Sequence, residues 1–297
     1  MSTPQLLARE LVADVAVHGQ SKTALDDLNA WAVRSVGTER AYRQVVTTYL
    51  EWLRDQRIPL QTLHTRGMLM EFLDEYAESR GQKSVDQARQ ALQKTFAVTL
   101  PTVESLIKTA ARDRTYTFDE LTQVIKYQTH KNQLATLLCF DAGLRAHECI
   151  TLAPRCDGSP STHRDWSPER FAGLTDIVIY LVTGKGGLTR EVAVSIELSD
   201  ALQKLLRSAP VVIQDREVNY RSSFAIGGGQ ALSSSFSRAS ELAIGQSRGL
   251  HGLRHSFARR RLATLCTLFP PRDALLILSQ ELGHFRPSIT LNYISGR

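Results

Sequence analysis

Two arginines, a lysine, two histidines and a tyrosine form, in chain order, a set suited to phosphodiester transfer without a metal: Arg145, Lys185, His251, Arg254, His284 and Tyr293. A phenol with a pKa around 10 is a weak nucleophile at neutral pH, so it needs a nearby base or dense positive charge that favours phenolate. The same cations cancel the repulsion between a phosphodiester anion and an incoming anionic nucleophile. His251 and Arg254, three residues apart, share one face of a helix and direct two donors to one anion. Lys185 sits in a glycine-flanked turn, Gly184-Lys185-Gly186-Gly187, where an ammonium enters a groove with little steric hindrance. Arg145 precedes Glu148 by three residues, and Tyr293 lies nine beyond His284. Each piece alone has an ordinary explanation: a solvated helix face, a surface ion pair, a wet turn, a packed aromatic. The set in order is what points to chemistry.

The elements that must position these residues are mostly helical. Tyr42, Val45, Val46, Tyr49, Leu50 and Leu53 recur at three- and four-residue steps and predict an amphipathic helix over Thr38–Leu53. Further helices are expected over Arg66–Ser79 and Ser84–Val98, so the first hundred residues read as a helical bundle, preceded by 1–37 as either an arm or an extra helix. Thr117 and Glu120 form a capping-box pattern that opens a new unit after a polar boundary at Lys108–Tyr116. Helices are predicted over Leu121–Tyr127, Asn132–Phe140 and Leu144–Leu152, then Ala231–Ile244, Leu250–Phe269, Arg272–Leu282 and a short one at Ser288–Tyr293. The β-branched runs Asp176–Val182 and Arg190–Ser195 predict one hairpin, with Lys185 in its turn. Ser208–Gln230 carries no clear pattern. Cys156–Arg170 is expected to be a surface loop, a local insertion whose Trp166 and arginines could touch DNA or a partner.

Bulk properties narrow the class. At 297 residues the chain is expected to hold two domains, 1–110 and 111–297. A hydrophobic share of 42% and a charged share of 22% are those of a globular protein. A net charge of +6 and a pI near 9.2 favour an anionic partner. Cys139, Cys149, Cys156 and Cys266 have no C-x-x-C spacing and are read as reduced thiols, the first two buried. Cys149, Cys156 and His163 match no familiar zinc spacing and lack a fourth ligand, so no metal or other cofactor is expected. No signal-peptide pattern or membrane span is read, and the expected location is the cytoplasm, at the nucleoid.

The run Ala142-Gly143-Leu144-Arg145-Ala146-His147-Glu148, then Gly184-Lys185-Gly186-Gly187, His251-Gly252-Leu253-Arg254-His255-Ser256-Phe257-Ala258, Leu282-Gly283-His284 and Tyr293 closely resembles the tyrosine recombinases of the phage integrase and Xer type. The match runs from about Thr117 to Arg297. The first domain resembles their helical core-binding domain in length and character. The resemblance implies a mainly α fold, with a helical DNA-binding domain at 1–110 and a catalytic domain at 111–297 that carries a small antiparallel sheet. It implies Tyr293 as nucleophile forming a 3′-phosphotyrosine and a free 5′-hydroxyl, and no requirement for ATP. Arg145 and Arg254 would stabilise the equatorial oxygens of the transition state, and Lys185 would protonate the leaving oxygen. His251 and His284 would bind the phosphate or move the tyrosine's proton, the assignment between them staying open. Glu148 would orient Arg145 or His251. The implied partner is double-stranded DNA, bound by a homo-tetramer on two sites, alone or with a second recombinase or accessory protein.

Only Ile294–Arg297 follow Tyr293, which leaves the linking of protomers to another element or to the DNA itself. Two rivals share these residues: a strand transferase of topoisomerase IB type that acts without pairing sites, and a DNA-binding accessory protein that no longer cuts. Retention of the full polar set argues against the second.

Overall fold

The apolar stripe of the first domain becomes the buried face of α2 (Val36–Asp55), in which Tyr49, Leu50 and Leu53 are inaccessible to solvent. The computed structural model describes residues 3–18, 32–107, 113–184 and 186–294, with Asn292 described in its backbone only. It divides into two compact units, Met1–Ala110 and Ala111–Arg297. In the first unit α1 (Pro4–Ala13) starts at a Thr3 cap and packs on α2, so the opening residues include a helix. α3 (Arg66–Ser79) and α4 (Gln82–Thr95) complete a core of Val46, Tyr49, Leu69, Phe72, Ala88 and Leu92.

In the second unit α5 (Phe118–Ile125) opens with the capping box of Thr117 and Glu120, and α6 (His130–Asp141) follows. The helix expected over Leu144–Leu152 is reduced to α7 (Glu148–Thr151), because residues 143–147 form a turn held by side-chain contacts. β1 (Ala153–Pro154), β2 (Ile177–Thr183) and β3 (Thr189–Ser195) form an antiparallel sheet in that order, with Val182 opposite Arg190 and Thr183 opposite Thr189. α8 (Ile196–Gln203) is a helix that periodicity did not announce.

A second antiparallel pair, β4 (Leu206–Asp215) with β5 (Val218–Phe224), lies in the stretch left unread. The single expected sheet is therefore two. Most of β4 is exposed, so its sequence lacks the alternation that burial of one face imposes. α9 (Gly229–Ile244), α10 (His251–Cys266), α11 (Pro271–Glu281) and α12 (Pro287–Ile294) complete the unit. Its larger core joins α5, α6 and α9 to the first sheet. A smaller one gathers Phe257, Leu265, Leu278, Leu282 and Tyr293 from α10, α11 and α12. No helix among the described residues is long and apolar enough to cross a membrane.

Candidate active site

Arg145 stands in the turn between α6 and α7, and the turn's shape begins at Gly143. That residue has φ +63°, and a Cβ on it would fall 2.4 Å from the Phe257 ring. Glycine thus meets both a left-handed backbone and a close approach to α10. Its carbonyl accepts from the Arg254 guanidinium, which ties the turn to α10 a second time.

Glu148, wholly buried, is the hub. Its Oε1 accepts from Arg145 Nη1 at 2.6 Å and Arg190 Nη1 at 3.1 Å, and its Oε2 from the Arg145 backbone N–H at 2.8 Å and Arg190 Nη2 at 3.0 Å. Arg254 Nη1 lies 3.6 Å from Oε2. Burial acts to raise the carboxyl's pKa, but Arg190, Arg254, Arg145 and the backbone donor together outweigh it and hold the group well below the usual carboxylate range. An ion cluster this dry is tolerated only when nearly every donor and acceptor is matched.

Arg254 is also wholly buried. Its terminal nitrogens donate to the Gly143 and Leu282 carbonyls, and Nη2 also reaches His284 Nε2 at 3.3 Å. Burial, Arg145 and Arg190 lower its pKa while Glu148 opposes them, yet a guanidinium that starts above 12 stays charged at neutral pH. Its Nε–H is buried without a hydrogen-bond partner.

His284 follows α11 and receives Arg145 Nη2 at 3.0 Å as well as Arg254, both on Nε2. That nitrogen is therefore an acceptor, and the ring's proton is assigned to Nδ1, which donates to Thr290 Oγ1 at 3.3 Å. Burial first, then Arg254, Arg145 and Arg190, push the imidazole down to about 3, with Glu148 opposing. His251 is the first residue of α10 and keeps solvent contact; burial of its inner side and Arg254 still lower its pKa. The positive end of α10 favours the same neutral form.

Tyr293 projects from α12 into this cluster and is 8% exposed. Its ring centroid lies 5.1 Å from His284, 4.7 Å from His255 and 5.3 Å from His251, and 5.6 Å from the Arg254 guanidinium carbon. Arg145, Glu148, Arg254 and His284 thus touch one another directly, and His251 joins them through the Tyr293 ring. Lys185 lies outside the described residues. The turn around it closes with the Gly184 N–H on the Leu188 carbonyl at 2.8 Å, with Gly186 and Gly187 at φ +82° and +81°. A cavity of about 340 Å³ is lined by Arg145, His147, Glu148, Gly184, Leu188, Arg190 and Gly283.

Cys139 and Cys149 are buried with their sulfurs 3.5 Å apart, while Cys156 and Cys266 are exposed. His163 is exposed too, and among the described residues no His, Cys, Asp and Glu side chains gather as metal ligands would.

Neither a protein-family model nor a curated protein matches the sequence. Solved structures do. The XerH site-specific recombinase bound to difH substrate in a pre-cleavage complex aligns with TM-score 0.56 and 16% identity over 99% of this chain and 94% of that one. Its post-cleavage complex on palindromic difH gives 0.55 and 17% over 98% and 90%. A lambda integrase dimer bound to a COC′ core site gives 0.55 and 15% over 98% and 75%. The fold is that of the tyrosine recombinases. At these identities the likeness is one of fold.

Within this recombinase fold, two residues that sequence reasoning passed over hold the cluster. Arg190, buried on β3, makes two bonds to Glu148 and donates through Nε to the Glu281 carbonyl at 2.9 Å. The signal was available: Arg190 shares the inward face of β3 with Val192 and Val194, and a charge on a buried strand face needs a buried partner. His255, which lies within the 251–258 motif, is the second. It lies one turn after His251, is buried, and bonds the Tyr293 backbone. Its pKa is lowered by burial and by Arg114, with the Tyr293 bond opposing.

Proposed function

We propose that the chain is a site-specific DNA recombinase that breaks and rejoins duplex DNA through a 3′-phosphotyrosyl intermediate on Tyr293. The observation that carries this reading is the burial of one phenol among three imidazoles and a guanidinium contributed by α10, α12 and the residues after α11. The Tyr293 oxygen attacks the scissile phosphorus and forms an O–P bond as the bond to the 5′-oxygen breaks. The phenolic proton passes to a neutral imidazole. His284 Nε2 is occupied by two arginines, so this role falls to His251, and His284 serves to orient Arg145 and Arg254. Lys185 supplies the proton that the departing 5′-oxygen takes up. Arg145 and Arg254 meet the charge that develops on the phosphoryl oxygens. Glu148 and Arg190 keep those guanidiniums in register. The phosphotyrosyl ester conserves the energy of the broken bond, so rejoining by the 5′-hydroxyl needs no ATP, and the guanidiniums supply the charge that a metal would otherwise bring.

One chain offers one such tyrosine, and exchange between two duplexes cuts four strands, so the working assembly is a tetramer on two sites. The first unit adds DNA contacts of its own, and the basic balance of the chain suits a nucleoid location.

The test is single-turnover reaction with a nicked suicide substrate built on a site selected from random DNA. Wild type is expected to yield a denaturation-resistant adduct at a 3′-phosphate, absent with Tyr293→Phe and formed roughly 100- to 1000-fold more slowly with Arg145→Ala or Arg254→Ala. An adduct that persists in the Phe variant means that another residue is the nucleophile. Relaxation of supercoils without any pairing of sites would move the assignment to a strand transferase of topoisomerase IB type.

A further inference from the structure

The segment between β1 and β2 takes no part in the chemistry above, yet it is tied to the site at two places. At the first, the Ser161 N–H donates to the Thr189 carbonyl at 2.9 Å, and the Ser161 hydroxyl accepts from the Thr189 N–H at 3.0 Å. Thr189 opens β3, so these bonds hold the stem of the 184–188 turn. At the second, the Trp166 ring stands edge-on to Phe285, with centroids 4.8 Å apart and planes at 64°. Trp166 is itself fixed. Its Nε1–H donates to the Ser161 carbonyl at 2.9 Å, and the Arg170 guanidinium lies 4.6 Å over its ring while donating to Glu191 on β3 at 2.8 Å. The neighbouring Ser167 N–H donates to Gln280 Oε1 at 2.6 Å, which anchors the segment to α11.

Phe285 is the residue on which these contacts bear. It directly follows His284 and lies two residues before α12, the helix that carries Tyr293. Its φ is +54°, a left-handed conformation that a bulky side chain adopts only under constraint. Gly283, two residues before it, also has positive φ, at +70°, so the link turns sharply in a few residues. An aromatic ring held against a fixed partner supplies that constraint.

We propose that Trp166 and Phe285 form a latch that fixes the link between His284 and α12, and so sets where Tyr293 stands relative to Arg254 and the histidines. Trp166 is on this account a positioning residue. Because the same segment also grips Thr189, it connects the stem of the 184–188 turn to the helix of the nucleophile. The inference about positioning rests on the reading of Tyr293 as the attacking group; the latch as a physical contact does not.

The test compares Trp166→Ala, Trp166→Phe, Phe285→Asn, which tolerates left-handed backbone but has no such ring, and the double variant Trp166→Ala with Phe285→Asn. Two readouts are taken on the full chain: single-turnover adduct formation against DNA affinity, and amide hydrogen exchange over 287–294. Trp166→Ala and Phe285→Asn are each expected to slow adduct formation about tenfold with affinity within about twofold of wild type, since a small misplacement of reacting groups acts on the chemical step. The double variant should be no slower than either single one, and Trp166→Phe should retain most of the rate. Exchange over α12 should rise in Trp166→Ala and Phe285→Asn while α2 and α6 keep their protection. Unchanged exchange over α12, or rate losses that multiply in the double variant, overturns the latch. If the unmodified chain forms no adduct but α12 exchange rises in both variants, the proposed reaction fails and the latch stands.

Discussion

Two of the buried tyrosines stand in opposite surroundings. Tyr49, in the first unit, packs against Trp52, Phe72 and Phe96, and its hydroxyl finds one partner, His64 Nδ1, at 3.2 Å. Burial pushes its pKa up to about 12. Tyr293, in the second unit, sits among His251, His255, His284 and Arg254, and Arg254 in turn lies 3.6 Å from the Glu148 carboxylate that binds Arg145 and Arg190. Depth alone therefore does not decide what a phenol is for. An apolar shell stabilises the neutral hydroxyl and makes Tyr49 a core residue, whereas a shell of three imidazoles and a guanidinium makes Tyr293 a candidate nucleophile.

The contrast can be broken or sharpened by three measurements. The largest effect is expected from Glu148→Ala, which leaves Arg190 and Arg254 buried without their counter-charge. Urea unfolding should show a loss of roughly 3–5 kcal/mol, the scale for orphaning a buried ion. A loss under about 1 kcal/mol would mean that the hub is hydrated and that the two units differ less than described.

A smaller effect concerns pH. The folded His284 is pushed down to about 3 from an ordinary value of 6.5. Between those values the unfolded chain binds a proton that the folded one refuses, so this contribution is complete above 6.5 and is lost as pH falls toward 3. His284→Asn should flatten the pH dependence of unfolding free energy in that window, by up to about one proton in slope. An identical slope in the variant would show that His284 is not held neutral.

The smallest effect is expected at Tyr49→Phe, where one hydrogen bond disappears from an otherwise apolar setting. Stability should fall by about 1 kcal/mol, with the rate of adduct formation unchanged. A lost adduct in that variant would erase the distinction between the two tyrosines.

Much of the frame was legible in sequence. The stripe from Tyr42 to Leu53 needs only one apolar face, and it became α2 with ends two residues beyond the reading on each side. The capping box of Thr117 and Glu120 formed as read, because both its bonds are local. The helix at Leu144–Leu152 shrank to four residues because tertiary contacts won over propensity: the Arg145 N–H is drawn to Glu148 Oε2 and Gly143 turns left-handed under Phe257. The β4–β5 pair is not legible because β4 is largely exposed and the buried end of β5 holds two serines beside Phe224, so neither strand carries a clear apolar alternation.

The sequence by itself determined which chemical groups this protein has and most of the helices that carry them, since residue type and periodicity are local properties of the chain. Only the tertiary structure decided that Arg190 would complete the Glu148 hub, that His255 would bond the backbone of Tyr293, and that Trp166 would meet Phe285. Those pairs stand 42, 38 and 119 residues apart, by subtraction of their numbers. Their meeting depends on how sheet, helices and loop pack, and no local pattern encodes it.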